Sequence, residues 1–298
     1  MTITQFSGAV TAPGLYAGIP SEVYHGQAVA DAPSISSSFA RTLLNECPAY
    51  AWANSSLNPD YAPEPKDHFD FGTAAHLVFL EPELVAEKVA VIDADSWRTK
   101  AAQEARDAAR ADGKLPMLRD QFQALDAMRT ALHSNRIARQ AFVGGHAELS
   151  AFAKVGGVWT KARPDYLRAD IGAMVDYKTS TTANPAEFAR KAFSYGYHQQ
   201  AAWYIDVIKA ATGTTIRDFW FAVQDKNSPF LVSVSRFDDS AIQAGRVLNQ
   251  RALDLFRRCV DTGEWPGYRN PETPDIDTAF VLSLPVYAQR VVEQLIAA

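Results

Sequence analysis

The alternation of apolar and polar positions divides the chain into a loop-rich opening, a helical stretch and a strand-rich stretch closed by long helices. Residues 1–33, punctuated by Gly14, Gly18, Pro20, Gly26 and Pro33, read as loops and short strands. SISSSFARTLLNECPAYA then starts a helix, with Ser36 or Ser37 as candidate N-cap and Pro48 limiting its end. The polar, proline-rich segment 54–67 reads as a loop, and FDFGTAAHLVFLEPE as a short apolar helix closed by Pro82. Two helical stretches follow between residues 97 and 140, joined at an Asp112-Gly113 turn. The first, TKAAQEARDAARA, is weakly amphipathic and reads as a solvent-facing arm. The second repeats Phe122, Leu125, Met128 and Leu132 at helical spacing and should pack on the core.

Gly144-Gly145 ends that pattern, and the period changes to two. AELSAFAKV, VWTKARPDYL and AMVDYKTS predict three strands in an antiparallel meander. PAEFARKAFSYGYHQQAAWYIDVIKAATG predicts one long helix or two bent near Gly196. IRDFWFAVQ and FLVSVSRF predict two more strands, and DDSAIQAGRVLNQRALDLFRRCVDTG a long closing helix. With no repeat or linker, the expectation is one α/β domain over residues 1–298. Its N-terminal part, 1–140, should be mainly helical; the sheet and helix with the chemistry fall in 141–240, and a C-terminal helical part in 241–298.

Composition adds bounds. Hydrophobic residues make up 47% and charged residues 21%, as in an ordinary globular protein. The net charge of -5 offers no global attraction to a polyanion, though a local basic groove can coexist with it. Apolar runs such as Ala74 to Leu80 are too short to span a bilayer, so no membrane partner is expected. MTITQFSGAV lacks the features of a signal peptide, and a cytoplasmic protein with reduced thiols is the simplest expectation. Cys47 and Cys259, the two cysteines, cannot by themselves build a zinc or iron–sulfur site.

Residues two apart in a strand share a face, so Asp176 projects with Lys178, Arg163 with Asp165, and Glu148 with Ser150. A meander would bring these charges to one sheet edge. Carboxylates with a lysine beside them suit metal-assisted phosphodiester hydrolysis, since hard divalent cations take oxygen ligands. The spacing PD-x(10)-DYK is a weak signal alone and describes a solvated hairpin more readily than a metal site. Gln200 and Tyr204, one turn apart on the following helix, and His76 on the helix upstream shift the balance.

Together, GTAAH with His76, AELSAF with Glu148, KARPD with Asp165, VDYKTS with Asp176 and Lys178, and YHQQAAWY with Gln200 and Tyr204 resemble one family. The chain is similar to the exonuclease VIII (RecE-type) branch of the PD-(D/E)XK nucleases, related to lambda exonuclease and RecB-type nuclease domains. The likeness runs from Tyr24 to Tyr268, with the motifs in the family's order. It implies a restriction-endonuclease-like core, a mixed central sheet flanked by helices, with a helical N-terminal region. It also implies a Mg²⁺-dependent nuclease in which Mn²⁺ substitutes. Asp165, Asp176, the Tyr177 carbonyl and His76 would ligate metal, and Lys178 would act on the attacking water. Glu148, Gln200 and Tyr204 would support the site, and Arg163 and Gln200 the substrate. Relatives of this branch resect duplex DNA ends 5′ to 3′ as rings (trimer or tetramer), beside a single-strand annealing protein in phage or prophage recombination. The third motif departs from many relatives in being D-x-K rather than E-x-K.

Plainer readings stand beside these. His76 could be a core histidine, Tyr197, Gln200 and Tyr204 a sheet-facing stripe, and Glu148 and Arg163 surface charges. A buried amide needs partners, which favours a functional Gln200. Arg98, Lys100, Arg106, Arg110, Lys114 and Arg119 form a solvated face or a phosphate-contacting arm. Trp265 to Tyr268 reads as a turn with aromatic packing. An endonuclease or flap-type nuclease, or a non-catalytic DNA-binding module, would use the same core.

Overall fold

The computed structural model describes residues 1–27, 29–62, 67–269 and 279–296; residues 63–66 of the proline-rich loop lie outside the described residues. The chain opens with β1 (Ile3–Gln5), β2 (Gly14–Ala17), α1 (Ser21–His25) and β3 (Ser34–Ser36). Then come α2 (Ser37–Asn45), α3 (Pro48–Ala53) and α4 (Asp67–Leu80). Next are α5 (Val85–Lys88), β4 (Val89–Ile92), α6 (Lys100–Ala111), β5 (Leu115–Leu118), α7 (Arg119–Ser134) and α8 (Arg136–Ala141). The strand-rich half holds β6 (His146–Ala147), β7 (Ser150–Val155), β8 (Val158–Ala162), β9 (Tyr166–Arg168) and β10 (Ala173–Ser180). It closes with α9 (Pro185–Ser194), α10 (Tyr197–Thr212), β11 (Asp218–Asp225), β12 (Val232–Arg236), α11 (Asp239–Thr262) and α12 (Val286–Ile296).

This mixed α/β architecture has two five-stranded sheets, ordered β1-β2-β7-β8-β3 and β12-β11-β10-β9-β6, and a small β4-β5 pair. β10 pairs parallel with β11 and antiparallel with β9. Its alternate residues divide two cores: Met174 joins α10 residues such as Ala201, Ile205 and Ile208, whereas Val175 and Tyr177 join α7 residues Leu125, Met128 and Leu132. That is period-two sidedness in a strand buried on both faces.

Two expectations change. The meander does not form one sheet: β7 and β8 belong to the first sheet, β9 and β10 to the second. The chain crosses between them at Arg163-Pro164-Asp165, where Pro164 offers no N–H to continue a ladder. The short strands expected near the N-terminus, β1, β2 and β3, join β7 and β8 in the first sheet. The two helical stretches around Asp112-Gly113 do not join directly; the apolar LPML of β5 intervenes and pairs parallel with β4.

Other expectations match. Ser36 caps α2, its side chain accepting from the Phe39 N–H, and α3 starts at Pro48. α9 and α10 bend apart at Gly196, whose φ of 66° suits glycine. In α6, Ala102 and Ala109 are buried, Arg106 and Arg110 are half-buried and Lys100, Glu104 and Asp107 are exposed, so the helix is more amphipathic than expected. Trp265 packs edge-on against Phe39 and Phe256, and the Tyr268 hydroxyl donates to Glu46 at 2.7 Å. The Trp265–Tyr268 turn thereby ties the end of α11 to α2. Among the described residues, no helix is long and apolar enough to cross a membrane.

Candidate active site

The site lies at the seam where the chain changes sheets. Asp165 follows Pro164 there, and its Oδ2 accepts the Tyr177 backbone N–H at 2.6 Å. The crossover carboxylate thus takes up a donor from β10 and is fixed beside it. Arg163 and Asp165 are not a strand pair as expected, because neither lies in a strand. Arg163 turns away, donating to Ser150 Oγ and to the Ile19 carbonyl, each at 2.9 Å, with its guanidinium 4.0 Å from the Tyr24 ring centre.

Glu148 and Ser150 likewise do not share a strand. Glu148 sits in the bend between β6 and β7 with φ of 51°, a left-handed conformation that residues with a Cβ rarely adopt. Its N–H donates to the Asp165 carbonyl at 3.2 Å. Ligand atoms of His76, Glu148 and Asp165 all lie within 4.8 Å of one another. His76 reaches this point from α4, with Nδ1 3.5 Å from Asp165 Oδ2 and its ring 5.2 Å from that of Tyr177.

Asp176 and Lys178 occupy the face of β10 under α10. The Lys178 ammonium lies 2.5 Å from Asp176 Oδ2, and Gln200 Nε2 donates to Asp176 Oδ1 at 2.9 Å. Tyr204 lies one turn further along α10, and burial holds its hydroxyl well above the ordinary tyrosine range. Tyr177 points to the opposite face, where its hydroxyl donates to Gln224 Oε1 at 2.6 Å. The predicted residues thus form two linked groups. One is His76, Glu148 and Asp165; the other is Asp176, Lys178, Gln200 and Tyr204. Arg163 stands behind the first.

Electrostatics follow from burial and crowding. Burial and the neighbouring Asp165 push the Glu148 carboxyl up to about 8. Burial and Asp176 push Asp165 up to about 6, against the pull of His76 and Lys178. Burial works against the charge on Lys178, but Asp176 and Asp165 outweigh it and hold the ammonium above the usual lysine value. Two crowded carboxyls and an imidazole are a donor set that suits a divalent cation, which would relieve their repulsion. Asp176 Oδ2 is buried and, among the described residues, accepts no hydrogen bond of good geometry and meets the Lys178 charge.

Two neighbours escape sequence reading. Glu81, just past α4, is raised by burial and feels the charge of Arg163. Lys161 is 3% exposed and donates to the carbonyls of Tyr24 and Gly26 at 2.7 and 3.0 Å. Its alternation with Arg163 in KARPD was the only hint in the sequence.

Over residues 36–272 the chain matches a family described as a PDDEXK-like domain of unknown function (DUF3799). Comparison with curated proteins gives no match. Among solved structures the chain is similar to a "putative exonuclease" from Eubacterium rectale, at 14% identity and a TM-score of 0.57, covering 91% of this chain and 98% of that one. At that identity the likeness speaks to the fold. The alkaline exonuclease LHK-Exo from Laribacter hongkongensis aligns at 13% identity over 72% of this chain and 99% of its own, but its TM-score of 0.28 carries no argument.

Proposed function

Because the chain belongs to the PDDEXK-like family, within the PD-(D/E)XK nuclease superfamily, we propose that it is a metal-dependent deoxyribonuclease. The observation that carries this reading is the meeting of His76, Glu148 and Asp165 beside the Asp176–Lys178 pair. His76, Glu148 and Asp165 would hold a divalent ion, with Asp176 alongside; Mg²⁺ is the expected ion and Mn²⁺ its substitute. When bound, the ion would polarise a phosphoryl oxygen and acidify a coordinated water.

The chain's own residues supply the rest. Lys178 stays protonated beside Asp176, so it orients the attacking water and offsets charge growing on the phosphoryl group. Asp176 fixes that ammonium through Oδ2. Gln200 fixes Asp176 through Oδ1, and Tyr204 backs Gln200. Arg163, clamped on Tyr24 and Ser150, walls the carboxyl cluster.

The finer reading rests on the sequence resemblance. It is a processive 5′-to-3′ exonuclease on duplex DNA ends, working as a homo-oligomeric ring in the cytoplasm, beside a single-strand annealing protein in phage or prophage recombination. A ring would place basic surface in its channel despite the net charge of -5.

The test is degradation of linear duplex in Mg²⁺ by the unaltered protein, Lys178→Ala and Asp176→Ala, with closed circular duplex as a second substrate. Loss of the lysine should slow cleavage by about 10²- to 10⁴-fold, and the circle should survive. Equal degradation by all three proteins, or none by any in Mg²⁺ or Mn²⁺, overturns the catalytic reading. Cutting of the circle overturns the exonuclease mode.

A further inference from the structure

β10 turns alternate side chains to opposite faces, so Tyr177, between Asp176 and Lys178, enters the apolar core built with α7. A phenol buried there needs a partner for its hydroxyl. In the parallel register Tyr177 lies beside Ala222 of β11, and Gln224, two residues on, shares that face. Gln224 is fully buried.

Both polar atoms of that amide are engaged. Oε1 accepts from the Tyr177 hydroxyl at 2.6 Å. Nε2 donates to the carbonyl of Met128 on α7 at 2.8 Å and to that of Phe230 in the β11–β12 turn at 3.2 Å. Carbonyls only accept, so the amide cannot be turned over and Oε1 must face the hydroxyl. Burial holds that hydroxyl above the ordinary tyrosine range, so it keeps the proton it donates. Phe230 has φ of 58°, a left-handed backbone rare for a residue with a Cβ, and its N–H donates to the Asn227 carbonyl at 2.8 Å. The turn is therefore pinned at both its N–H and its carbonyl. A buried network satisfied in this way is rigid.

The other parts of Tyr177 meet the carboxyl cluster. Its backbone N–H donates to Asp165 Oδ2 at 2.6 Å, and that same oxygen lies 3.5 Å from His76 Nδ1. Its ring lies 5.2 Å from the His76 ring and 5.4 Å from that of Phe79, one turn further along α4. One residue thus touches both His76 and Asp165, by ring and by N–H. Anchored at its hydroxyl, the ring cannot swing about Cβ, so His76 meets it in one place.

We propose that Gln224 is a positioning residue of the metal centre: through the Tyr177 hydroxyl it holds the ring and the strand segment that orient His76 and Asp165 toward a divalent ion. The inference rests on the metal-dependent nuclease reading and deepens it, by placing a determinant of metal affinity on the face of β10 opposite Lys178. Neither Gln224 nor the Tyr177 hydroxyl acts on the substrate.

The experiment titrates Mn²⁺ into the full chain by calorimetry, comparing the unaltered protein with Tyr177→Phe, Gln224→Leu, the two combined, and Phe256→Leu. Removing a partner that orients metal ligands lowers metal affinity by about 10- to 100-fold, and each of the first two variants should lose affinity in that range. Together they should lose no more than the worse of the two, because they break one shared bond. Phe256→Leu loosens the core on the other face of the sheet; it should lower the thermal midpoint and leave Mn²⁺ affinity unaltered. Raising Mn²⁺ should restore cleavage of linear duplex by Tyr177→Phe, as a loss of metal affinity requires. Should Gln224→Leu fail to fold, Tyr177→Phe, which deletes one oxygen, carries the test. Unaltered Mn²⁺ affinity in Tyr177→Phe with a lowered thermal midpoint overturns the inference and makes the pair a packing feature. An equal loss in Phe256→Leu overturns it too, since lost stability alone would then account for the effect, and so does an unaltered protein that binds no Mn²⁺. Mn²⁺ binding that both variants weaken, in a protein that cuts no DNA, sinks the nuclease reading and leaves the inference standing; cleavage with Mn²⁺ affinity indifferent to both does the reverse.

Discussion

Gln200→Leu isolates the support that α10 gives to Asp176 on β10. Asp176 is 1% exposed and Gln200 7%, and among the described residues the carboxylate is held by the 2.9 Å bond from Gln200 Nε2 to Oδ1 and by the Lys178 ammonium at Oδ2. Leucine keeps most of the volume but removes the donor, leaving Lys178 to hold Asp176 from one side. A hydrogen bond to a charged group contributes about 1.5–3 kcal/mol. If that loss falls on the transition state, at 1.36 kcal/mol per decade, the rate drops roughly 10- to 150-fold. Initial rates on linear duplex at saturating metal, with thermal melts alongside, measure it. The drop should appear in kcat with KM little changed, because the bond orients a group and does not itself touch DNA. Gln200→Asn, a methylene shorter, should fail similarly, and Gln200→Glu should fail more severely by setting a second negative charge against Asp176. An unchanged kcat with a lowered melting temperature would refute the reasoning and make Gln200 a packing residue.

Further outcomes follow from the same geometry. Glu148 and Asp165 are held at about 8 and about 6, above their unfolded values of 4.5 and 3.8. Their contribution to stability is therefore fully present below pH about 4 and lost as pH rises through those two values. The thermal midpoint in EDTA should fall between about pH 5 and 8, and a midpoint that climbs over that range contradicts the cluster's electrostatics. Saturating Mn²⁺ at about 100 times its Kd should add about 2.7 kcal/mol of stability; His76→Ala should shrink that gain, as calorimetric titration would register, and an unaltered affinity would remove His76 from the ligand set. A Cβ at Gly245 would meet the His198 carbonyl at 2.5 Å and Gln199 Cα at 3.0 Å. Gly245→Ala should thus force α11 off α10 at a cost of about 1–3 kcal/mol by urea denaturation, with activity falling because Gln200 lies on the displaced turn; an unshifted urea midpoint would mean that the helices part without cost.

Local pattern determined a good deal. The stripe of Leu125, Met128 and Leu132 specifies α7, because helical spacing already defines which face is buried. Gly196 marks the bend between α9 and α10, because only glycine readily adopts its φ of 66°. The two-residue step from Asp176 to Lys178 puts both on one face of β10, a consequence of strand geometry alone. Pairing partners were decided elsewhere. KARPDYL has the alternation of one strand, yet Pro164 lacks the donor to continue a ladder and Asp165 spends its carboxylate on the Tyr177 N–H. The segment therefore splits between two sheets, and the crossover rather than a sheet edge gathers the charge. Glu148 reaches Asp165 through a left-handed backbone that glutamate does not advertise. Arg41 meets Tyr195 across 154 positions of sequence. Periodicity states which face of an element is buried; which distant element covers that face, and which charges it carries there, is set by long-range packing and hydrogen bonding that no local window contains.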